Sequence, residues 1–423
     1  MFPRKTTRMA LALALAALTG NPLWAQNSPI KGLAAPATLQ QAFDAAWIRQ
    51  PEAQSLDTRR DAADARRRIA DAWTAEPPTL ELSGKTDQAI KNDGAREYVA
   101  GVALPLWLPG ERSRLGALAE AESKAVASRA TAAQLRTAAA VREAWWLWQR
   151  AKSEQALARE RLNNALRLAG DVARRVKAGD LAQSDLHQAE GAVATAEVAQ
   201  AETDSAMAAA TQLLRSITGI LPADGAAGLP EVLPTVPADF TTLDASHPAV
   251  AELFDRAEVA RRAADLASVQ TRNNPELVLA TTRDRGAFGN AYQQTVTIGV
   301  RIPFGSENRN RAKAGQARAE AIEIEGQLRL ERERLAADLE AIKVRVESTR
   351  AQLAAAEKRA RLAKESRGFF DKSFRLGESD LPTRLRIELE SVEAERQAGR
   401  ARIDLAAAIS ALRQALGLLP EQQ

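Results

Sequence analysis

The sequence contains no cysteine, only two histidines and few aromatic residues, which make up 4% of its 423 residues. An exported chain without cysteine has no disulfide framework, and no lipid anchor can be attached to a cysteine at its mature N-terminus. A typical structural zinc site is not expected either, because such sites are built from cysteine and histidine. The low aromatic content argues against a compact enzyme of this length and favours an extended helical bundle.

Motifs typical of enzymes are also missing from the sequence, which has neither a phosphate-cradling glycine loop nor a nucleophile elbow. His187 follows a predicted turn, and His247 precedes Pro248 at a predicted helix start. We expect solvated or capping roles for both histidines rather than metal ligation. No catalytic residue, metal site or cofactor is therefore predicted. Arginine and glutamate are interspersed along the chain, which is typical of solvated helix faces and not of a nucleic-acid interface.

Residues 1–25 are predicted to be a secretory signal peptide. Three basic residues precede the ten-residue apolar run Met9–Leu18, which is too short to span a membrane, and Ala25 is a plausible cleavage point. An uncleaved anchor is the alternative. Cleavage would lower the formal net charge from +4 to about +1, because residues 1–25 hold three Lys or Arg and no acidic residue.

Two stretches of roughly 70 residues without proline, Glu111–Lys177 and Ser306–Leu376, predict very long helices. Both are rich in Ala, Leu, Arg, Glu and Gln, which favour helix, and both are too charged to span a membrane. In the second stretch, apolar residues recur every seven positions in two interleaved series, which is the pattern of a coiled-coil seam. The two series are Leu328, Leu335 and Ile342, and Leu339, Val346 and Leu353.

The spacing of proline and glycine indicates an internal duplication. The intervals Pro51–Pro78 and Pro248–Pro275 are both 27 residues, and the intervals Gly179–Gly219 and Gly377–Gly417 are both 40 residues. Matching intervals of this kind predict two structural repeats. The predicted domains are the signal peptide 1–25, a first repeat 26–219, a proline-rich linker 220–245, a second repeat 246–419 and a tail 420–423.

Each repeat has a predicted β-hairpin ahead of its long helix. Strands are predicted at 79–90 and 96–108 in the first repeat and within 277–304 in the second. Strands of this length with flanking aromatic residues fit either a membrane-spanning barrel or a small soluble sheet. The last strand alternates with a period of two, which predicts an apolar face that would contact lipid. That face consists of Val296, Ile298, Val300 and Ile302.

Two hairpins supply only four strands. An open sheet is not stable in lipid, because its edges leave backbone groups unsatisfied, and membrane barrels need about eight strands or more. If these strands span a membrane, several copies must share one barrel, and three copies would supply twelve strands. The same threefold arrangement would ring the long helices into a hollow tube about 100 Å long.

The segment Leu39–Leu56, the two proline-marked hairpins, and the turns Lys177–Leu186 and Arg375–Leu381 resemble those of TolC-type outer-membrane efflux proteins. The resemblance implies a mainly α fold with a small β portion, built as a duplicated helix–β-hairpin–long helix–helix repeat. It implies a homotrimer with a twelve-stranded β-barrel in the cell outer membrane, continuous with an α-helical barrel in the periplasm. The implied partners are outer-membrane lipid, a periplasmic adaptor (membrane fusion) protein and an inner-membrane pump of the RND type. The protein would be a passive channel and no enzyme.

The segment Leu104–Arg112 is similar to the strand-to-helix junction of the heavy-metal branch, the CzcC-type cation efflux proteins. This similarity implies heavy-metal cations as the exported substrate. Drug efflux and type I secretion are alternatives within the channel class. A soluble periplasmic coiled-coil scaffold or adaptor is the alternative from another class, although two equivalent helical halves argue against an adaptor.

The two glycine turns are the tips that the resemblance places deepest in the periplasm. Gly179 and Gly377 are expected to adopt the left-handed conformation that ends a helix. The short polar residues that follow are placed to cap the returning helices, namely Ser184, Asp185, Ser379 and Asp380. The residues predicted to dock the adaptor are Gly179, Asp180, Leu181, Ser184, Asp185, Leu186, Gly377, Glu378, Ser379, Asp380 and Leu381.

Acidic residues near the tips have two interpretations. Carboxylates at a helix start complement the helix dipole, and this interpretation is favoured because such pairing is common. In a trimer, Asp180 and Asp185 would instead form an acidic entrance ring that favours cations. The type member of the family carries two aspartates after its second tip, and the matching positions here are Thr383 and Arg386. That pair is therefore not preserved, and Asp185 in the first repeat is the nearest substitute.

Overall fold

The computed structural model of this protein describes residues 35–226, 228–237 and 246–421. The predicted signal peptide, residues 1–25, lies outside the described residues, as do parts of the predicted linker and tail. The first repeat consists of α1 (Leu39–Ile48), α2 (Pro51–Asp71), β1 (Thr79–Thr86), β2 (Arg96–Pro105), α3 (Glu111–Ala178) and α4 (Gln183–Thr218). The second consists of α5 (Pro248–Val269), β3 (Glu276–Arg285), β4 (Gln293–Arg301), α6 (Glu307–Arg375) and α7 (Leu381–Ala415). The predicted order of helix, hairpin, long helix and helix thus occurs twice.

Helix boundaries follow the local sequence. Pro51 and Pro248 each occupy a first helical position, where the missing N–H is not needed. His247 Nδ1 accepts a hydrogen bond from the N–H of Ala249 (3.3 Å), so this histidine caps α5, which is one of the roles expected for it. Gly219 ends α4 with a φ of 78°, in the left-handed region where a side chain would be strained.

The strands of the first hairpin are shorter than predicted. β1 ends at Thr86 rather than Ile90, because the carbonyl oxygen of Asp87 accepts three N–H groups of the following residues and closes a turn. β2 ends at Pro105 rather than Leu108, and the backbone beyond it hydrogen-bonds to the second repeat instead of to β1. In the second repeat, β3 and β4 fill most of the predicted segment 277–304.

The four strands form one antiparallel sheet in the order β1-β2-β3-β4. The central pair, β2 and β3, joins the two repeats, with Arg96 opposite Arg285 at one end and Pro105 opposite Glu276 at the other. The outer strands β1 and β4 each pair with one neighbour only within the described part of the chain. The sheet is therefore open at two edges, as strand counting predicts for a single copy.

The helices pack alongside one another. α3 packs against α4 and α6 against α7, while α5 contacts both α3 and α6, and α7 also contacts α3. α3 has 68 residues and α6 has 69, so each spans about 100 Å. Because both run from the sheet to a glycine turn, the sheet and the two turns lie at opposite ends of these helices.

The helix contacts are made mainly by small residues, and more than half of the buried apolar residues are alanine. Within the seam predicted for α6, Leu328, Leu339 and Val346 are buried and the other three residues are half-buried. The largest cluster lies midway along α3, where Trp145 and Trp148 are fully buried with ring centroids 5.5 Å apart. Phe43 and Trp47 of α1 join Trp145, Trp146 and Trp148 in this cluster, where α1, α3 and α4 meet.

A buried ionic node fixes the segment between the repeats. The Glu231 carboxylate accepts hydrogen bonds from Nη2 and Nε of Arg142 on α3 (2.7 and 3.0 Å) and lies 3.2 Å from Nε of Arg413 on α7. The three side chains are only 3–5% exposed. Arg142 also donates to the Leu418 carbonyl (3.0 Å). One carboxylate therefore ties both repeats and the linker together.

Replacing Glu231 with alanine should lower the free energy of unfolding by about 3–5 kcal/mol, since two buried guanidinium groups would lose their shared carboxylate. The measurement is guanidinium denaturation followed by circular dichroism. Glu347→Ala is the matched control, because Glu347 forms an exposed ion pair with Arg350 (3.0 Å) that contributes about 0.5 kcal/mol or less. Equally small losses in both variants would show that the node does not hold the linker.

Candidate functional site

One face of the sheet is apolar across all four strands. Directly paired residues of an antiparallel sheet point to the same side, and the pairing places Leu80, Val102, Leu279 and Ile298 in one row. The neighbouring rows add Leu82, Leu104, Leu277, Val296 and Val300. The alternation predicted for the last strand is thus part of a continuous band, and its residues are 59–74% exposed in β4. Ile302 follows the end of β4.

The opposite face carries polar and small residues. The row beside Ile298 holds Glu81, Ala280 and Thr297. Near the helices Arg301 pairs with Glu276 (2.9 Å), and near the turns Lys85 pairs with Glu97 (3.1 Å). The sheet therefore separates an apolar surface from a polar one.

A second feature lies where the sheet meets the helices. Glu111, at the first turn of α3, is 3% exposed and accepts a hydrogen bond from the backbone N–H of Leu108 (3.0 Å). Its carboxylate also accepts from the side-chain amides of Gln270 (2.8 Å) and Asn274 (2.7 Å), which precede β3. The segment predicted as a strand-to-helix junction, Leu104–Arg112, thus locks the first repeat to the second. Sequence reasoning missed Gln270 and Asn274, because only the fold brings them to Glu111.

The two tips reverse the chain as predicted. Gly179 and Gly377 have φ values of 86° and 78°, the left-handed conformation expected for both. The predicted caps are only partly confirmed. Asp380 is the N-cap of α7, and its Oδ1 accepts from the N–H of Thr383 (3.1 Å).

Two of the predicted caps are wrong. α4 begins at Gln183, so Ser184 lies inside the helix, and Ala182 occupies the N-cap position. Asp185 acts from the third helical position, where its Oδ2 accepts from the N–H of Ala182 (3.0 Å). Ser379 precedes the N-cap of α7 and makes no cap hydrogen bond, because the aspartate after it takes that role.

The tips are joined by a stacked aromatic ring. Phe374 on α6 is 3% exposed and lies between the guanidinium groups of Arg175 on α3 (5.0 Å) and Arg384 on α7 (4.8 Å). Arg384 also pairs with Asp371 (2.6 Å), and burial lowers the pKa of its guanidinium. Leu381 is 2% exposed in the same cluster. This leucine is therefore part of the tip core, and its predicted role in docking would require it to move.

The exposed tip surface differs from the predicted set in one further way. Leu376, which follows α6, is 74% exposed and was not among the predicted docking residues. Asp180 and Glu378 are exposed beside the turns, whereas Leu181 and Leu186 are half-buried against the tip core. A polar groove of about 810 Å³ separates the two helix pairs above the tips, and the Arg367–Glu388 pair (2.9 Å) lies along it.

Comparison with known proteins relates this geometry to outer-membrane channels. Residues 43–220 match the family model of outer membrane efflux proteins. Similar solved structures include the outer membrane protein VceC from Vibrio cholerae, with 17% identity, a TM-score of 0.70 and coverage of 90% of this chain and 96% of that chain. The open MtrE outer membrane channel of Neisseria gonorrhoeae has 16% identity and a TM-score of 0.71, with 91% and 90% covered. No curated protein sequence matched the chain. The fold is that of TolC-type outer-membrane channels.

The TolC-type fold agrees with the fold predicted from sequence, including a barrel that one chain leaves unclosed. The family match covers the first repeat, whereas the structural matches extend over both. Members of the matched family are channels, and this supports the expectation that the chain is no enzyme. None of the helices in the described ranges is long and apolar enough to cross a membrane.

Metal ligation receives no support from side-chain placement. Within residues 35–226, 228–237 and 246–421 there is no group of three or more His, Asp or Glu side chains that could hold a metal ion. His187 is exposed on α4 and lies 3.4 Å from the Gln183 amide. Thr383 and Arg386 stand at the positions of the missing aspartate pair. The N–H of Thr383 donates a hydrogen bond to the Asp380 cap, and Arg386 forms an ion pair with Glu390 (2.7 Å).

Asp380→Ala should destabilise the first turn of α7, because the N–H of Thr383 loses its acceptor. Amide hydrogen exchange in that turn measures the change, and Ser379→Ala is the matched control with little expected effect.

The pKa of Asp380 is lowered by its hydrogen bonds with Thr383, first by the one to the Thr383 side chain and then by the one from the Thr383 N–H. The stabilisation is therefore present above the ordinary value of 3.8 and is lost as the pH falls through the lowered value. A larger effect at Ser379 would contradict the assigned cap.

Proposed function

We propose that this protein is the subunit of a passive channel in the outer membrane, through which a tripartite efflux system exports its substrate. The observation that carries the proposal is the open sheet, which has one continuous apolar face and two free edges in a TolC-type fold. Apolar side chains covering one face suit contact with lipid, and the polar face suits a water-filled lumen. The free edges require closure by further strands.

Three copies provide this closure as a twelve-stranded barrel, and the internal duplication supports the trimer. Inside one chain, the first-repeat junction at Glu111 packs on the segment before β3. The equivalent junction of the second repeat has an exposed Glu307, and Phe304 beside it is 94% exposed. In the first repeat, the segment before β1 carries Trp73, which is 84% exposed. In a trimer, the Trp73 segment of a neighbouring copy would pack on this second junction. The segment before β3 packs on the Glu111 junction in the same way within one chain.

The tips are proposed to dock a periplasmic adaptor that links the channel to an inner-membrane RND-type pump. They lie at the end of the helices farthest from the sheet. Their exposed residues combine an apolar centre, Leu376, with a polar rim that includes Asp180 and Glu378. Interfaces commonly have this composition. Leu381 is left out of the proposed surface because it is buried.

The entrance of the channel is proposed to favour cations through rings of carboxylates. Asp180 is exposed and would supply three carboxylates in a trimer. Asp185 is less suited, because its carboxylate already accepts a backbone hydrogen bond at the start of α4.

Heavy-metal cations are the proposed substrate. This step depends on the similarity of Leu104–Arg112 to the heavy-metal branch. In the structure, Glu111 of that segment joins the two repeats. The segment would therefore be typical of the heavy-metal branch without itself binding the metal. Drug efflux and type I secretion are the competing substrates within the channel class.

Placing a lysine on the apolar face tests the membrane location. Ile298→Lys should strongly reduce the amount of trimer in the outer-membrane fraction, because a lysine near mid-membrane on the lipid face costs about 2–4 kcal/mol. Thr297→Lys is the matched control on the polar face and should leave the trimer level nearly unchanged. The measurement is membrane fractionation followed by electrophoresis of the undenatured trimer.

Two outcomes would contradict the channel. Equal tolerance of both lysines would mean that the register or the membrane location is wrong. A monomeric parent protein found only in the soluble periplasmic fraction would favour the scaffold.

Changing both tip glycines tests docking. The Gly179→Val/Gly377→Val double variant should keep its trimers in the outer membrane but lose adaptor crosslinking and export. A side chain in the left-handed conformation costs about 1–2 kcal/mol at each turn, so the turns should change shape. Gly326→Val, within α6 and with open space around it, is the control. Export is measured as cellular tolerance of divalent metal ions and, in parallel, of hydrophobic drugs.

Normal crosslinking and normal export in the double variant would rule out docking at the tips. Loss of export in proportion to loss of trimer would show that the turns only reverse the chain. A fall in drug tolerance without a fall in metal tolerance would refute the heavy-metal substrate and keep the channel.

A further inference from the structure

The apolar face of the sheet ends in a group of arginines next to the two hairpin turns. The pairing register places Arg96 on β2 directly opposite Arg285 on β3, and Arg283 lies two residues before Arg285 on the same face. All three share the face that carries Ile298. Because β2 and β3 are the two inner strands, these residues lie away from the open edges at which strands of another copy would pair.

The arginines are not neutralised by the protein. In the part of the chain that the structure describes, none of these guanidinium groups forms an ion pair. The acidic residues at the same height, Glu97 and Asp284, point to the other face, where Glu97 pairs with Lys85. Like charges directly opposite each other destabilise an antiparallel pair. The Arg96–Arg285 pair is therefore unfavourable by itself, and an anion bound to the two side chains would offset this repulsion.

Aromatic rings hold two of the arginines in place. The guanidinium groups of Arg283 and Arg285 lie against the ring of Tyr292, at 4.8 and 5.0 Å from its centroid. Arg285 also donates to the carbonyl oxygen of Gly94 (3.0 Å) in the other hairpin turn. Arginine stacked on an aromatic ring keeps its N–H groups free for a phosphate, which it can bind with two parallel hydrogen bonds.

A shallow groove adjoins these arginines on the same face. Its volume is about 570 Å³, and it is lined by Gly84, Tyr98, Ala100 and Thr281, with Arg283 at its rim. The small side chains in the centre of the sheet create this depression next to apolar leucine and valine residues. An acyl chain could lie in the groove while its headgroup reaches the arginines.

From these contacts we propose that Arg96, Arg283 and Arg285 form a binding site for the phosphate groups of lipopolysaccharide in the outer leaflet. The inference rests on the proposed function, because only a sheet that spans the outer membrane brings its turns to that leaflet. The helices leave the sheet at its other end, so the turns point outward. A phosphorylated glycolipid supplies both the negative charge that the arginines lack and the acyl chains that fit the apolar face.

The test uses purified parent trimer in detergent and native mass spectrometry with bisphosphorylated lipid A. The parent should bind it at least about tenfold more tightly than the Arg96→Gln/Arg283→Gln variant, since each lost hydrogen bond to a charged group is worth a factor of that size. Arg285 is left unchanged because it also holds the turn at Gly94. Lys85→Gln, at the same height on the polar face, is the matched control and should bind like the parent.

Further lipids distinguish the sources of phosphate. Chemically dephosphorylated lipid A should bind weakly to every variant, and phosphatidylglycerol should bind less tightly than lipid A to the parent. Equal binding of the phosphorylated and dephosphorylated forms would overturn the proposal, as would parent-like affinity in the double variant. Tighter binding of phosphatidylglycerol would overturn the assignment to lipopolysaccharide.

The circular dichroism spectrum and the trimer level of the double variant should match those of the parent, and Arg96→Lys/Arg283→Lys should recover part of the affinity. Failure of the proposed function is seen separately, as absence of the parent trimer from the outer membrane. An outer-membrane trimer without phosphate-dependent lipid binding would defeat this inference alone.

Discussion

Unpaired backbone groups at the two edges of the sheet are the constraint on which the rest of the structure depends. A buried or lipid-exposed N–H without a partner costs several kcal/mol, so a sheet of four strands with an apolar face has no stable form in a membrane alone. The same edges are a liability in water, where they invite pairing with other chains. The proposed symmetric assembly would meet both difficulties. It would also account for the two nearly equal repeats of one chain, since each would present the same geometry to its neighbours.

The helices meet a different requirement, because they have to be very long although they share only a small hydrophobic core. A helix of 68 residues cannot be stabilised by a central core, and α3 is instead supported along its length by α2, α4, α5 and α7. Alanine at most of the contacts lets the helices approach closely. Because each of these contacts buries little area, the positions of the helices are fixed by a few larger contacts. These are the tryptophan cluster, the node at Glu231 and the stacked Phe374.

The hydrophobic periodicity of the sequence and the spacing of its prolines and glycines predicted most of the fold. The proline and glycine intervals located both repeats, and the left-handed Gly179 and Gly377 followed from helix-ending rules. The end of β1 was missed because the Asp87 carbonyl closes a local turn that its sequence does not announce, and the end of β2 because the backbone beyond Pro105 pairs with the second repeat. Ser184 was misjudged for a local reason, since its neighbour Asp185 can satisfy the helix start from inside the helix. The partners of Glu111 and Phe374 lie more than 150 residues away or on other helices, where no local pattern points to them.

The tips show how one sequence motif serves two roles. Leu381 and Phe374 face inward and join the two helix pairs, whereas Leu376 faces outward beside the left-handed Gly377. A glycine in that conformation reverses the chain within two residues, so leucines five positions apart point to opposite sides of the turn. One exposed leucine on a surface has no special meaning by itself. In a threefold assembly, however, three copies would meet at the same end of the tube with carboxylates around them. An adaptor bound there would combine a small apolar contact with salt-sensitive charge pairing, which suits an attachment that has to form and release.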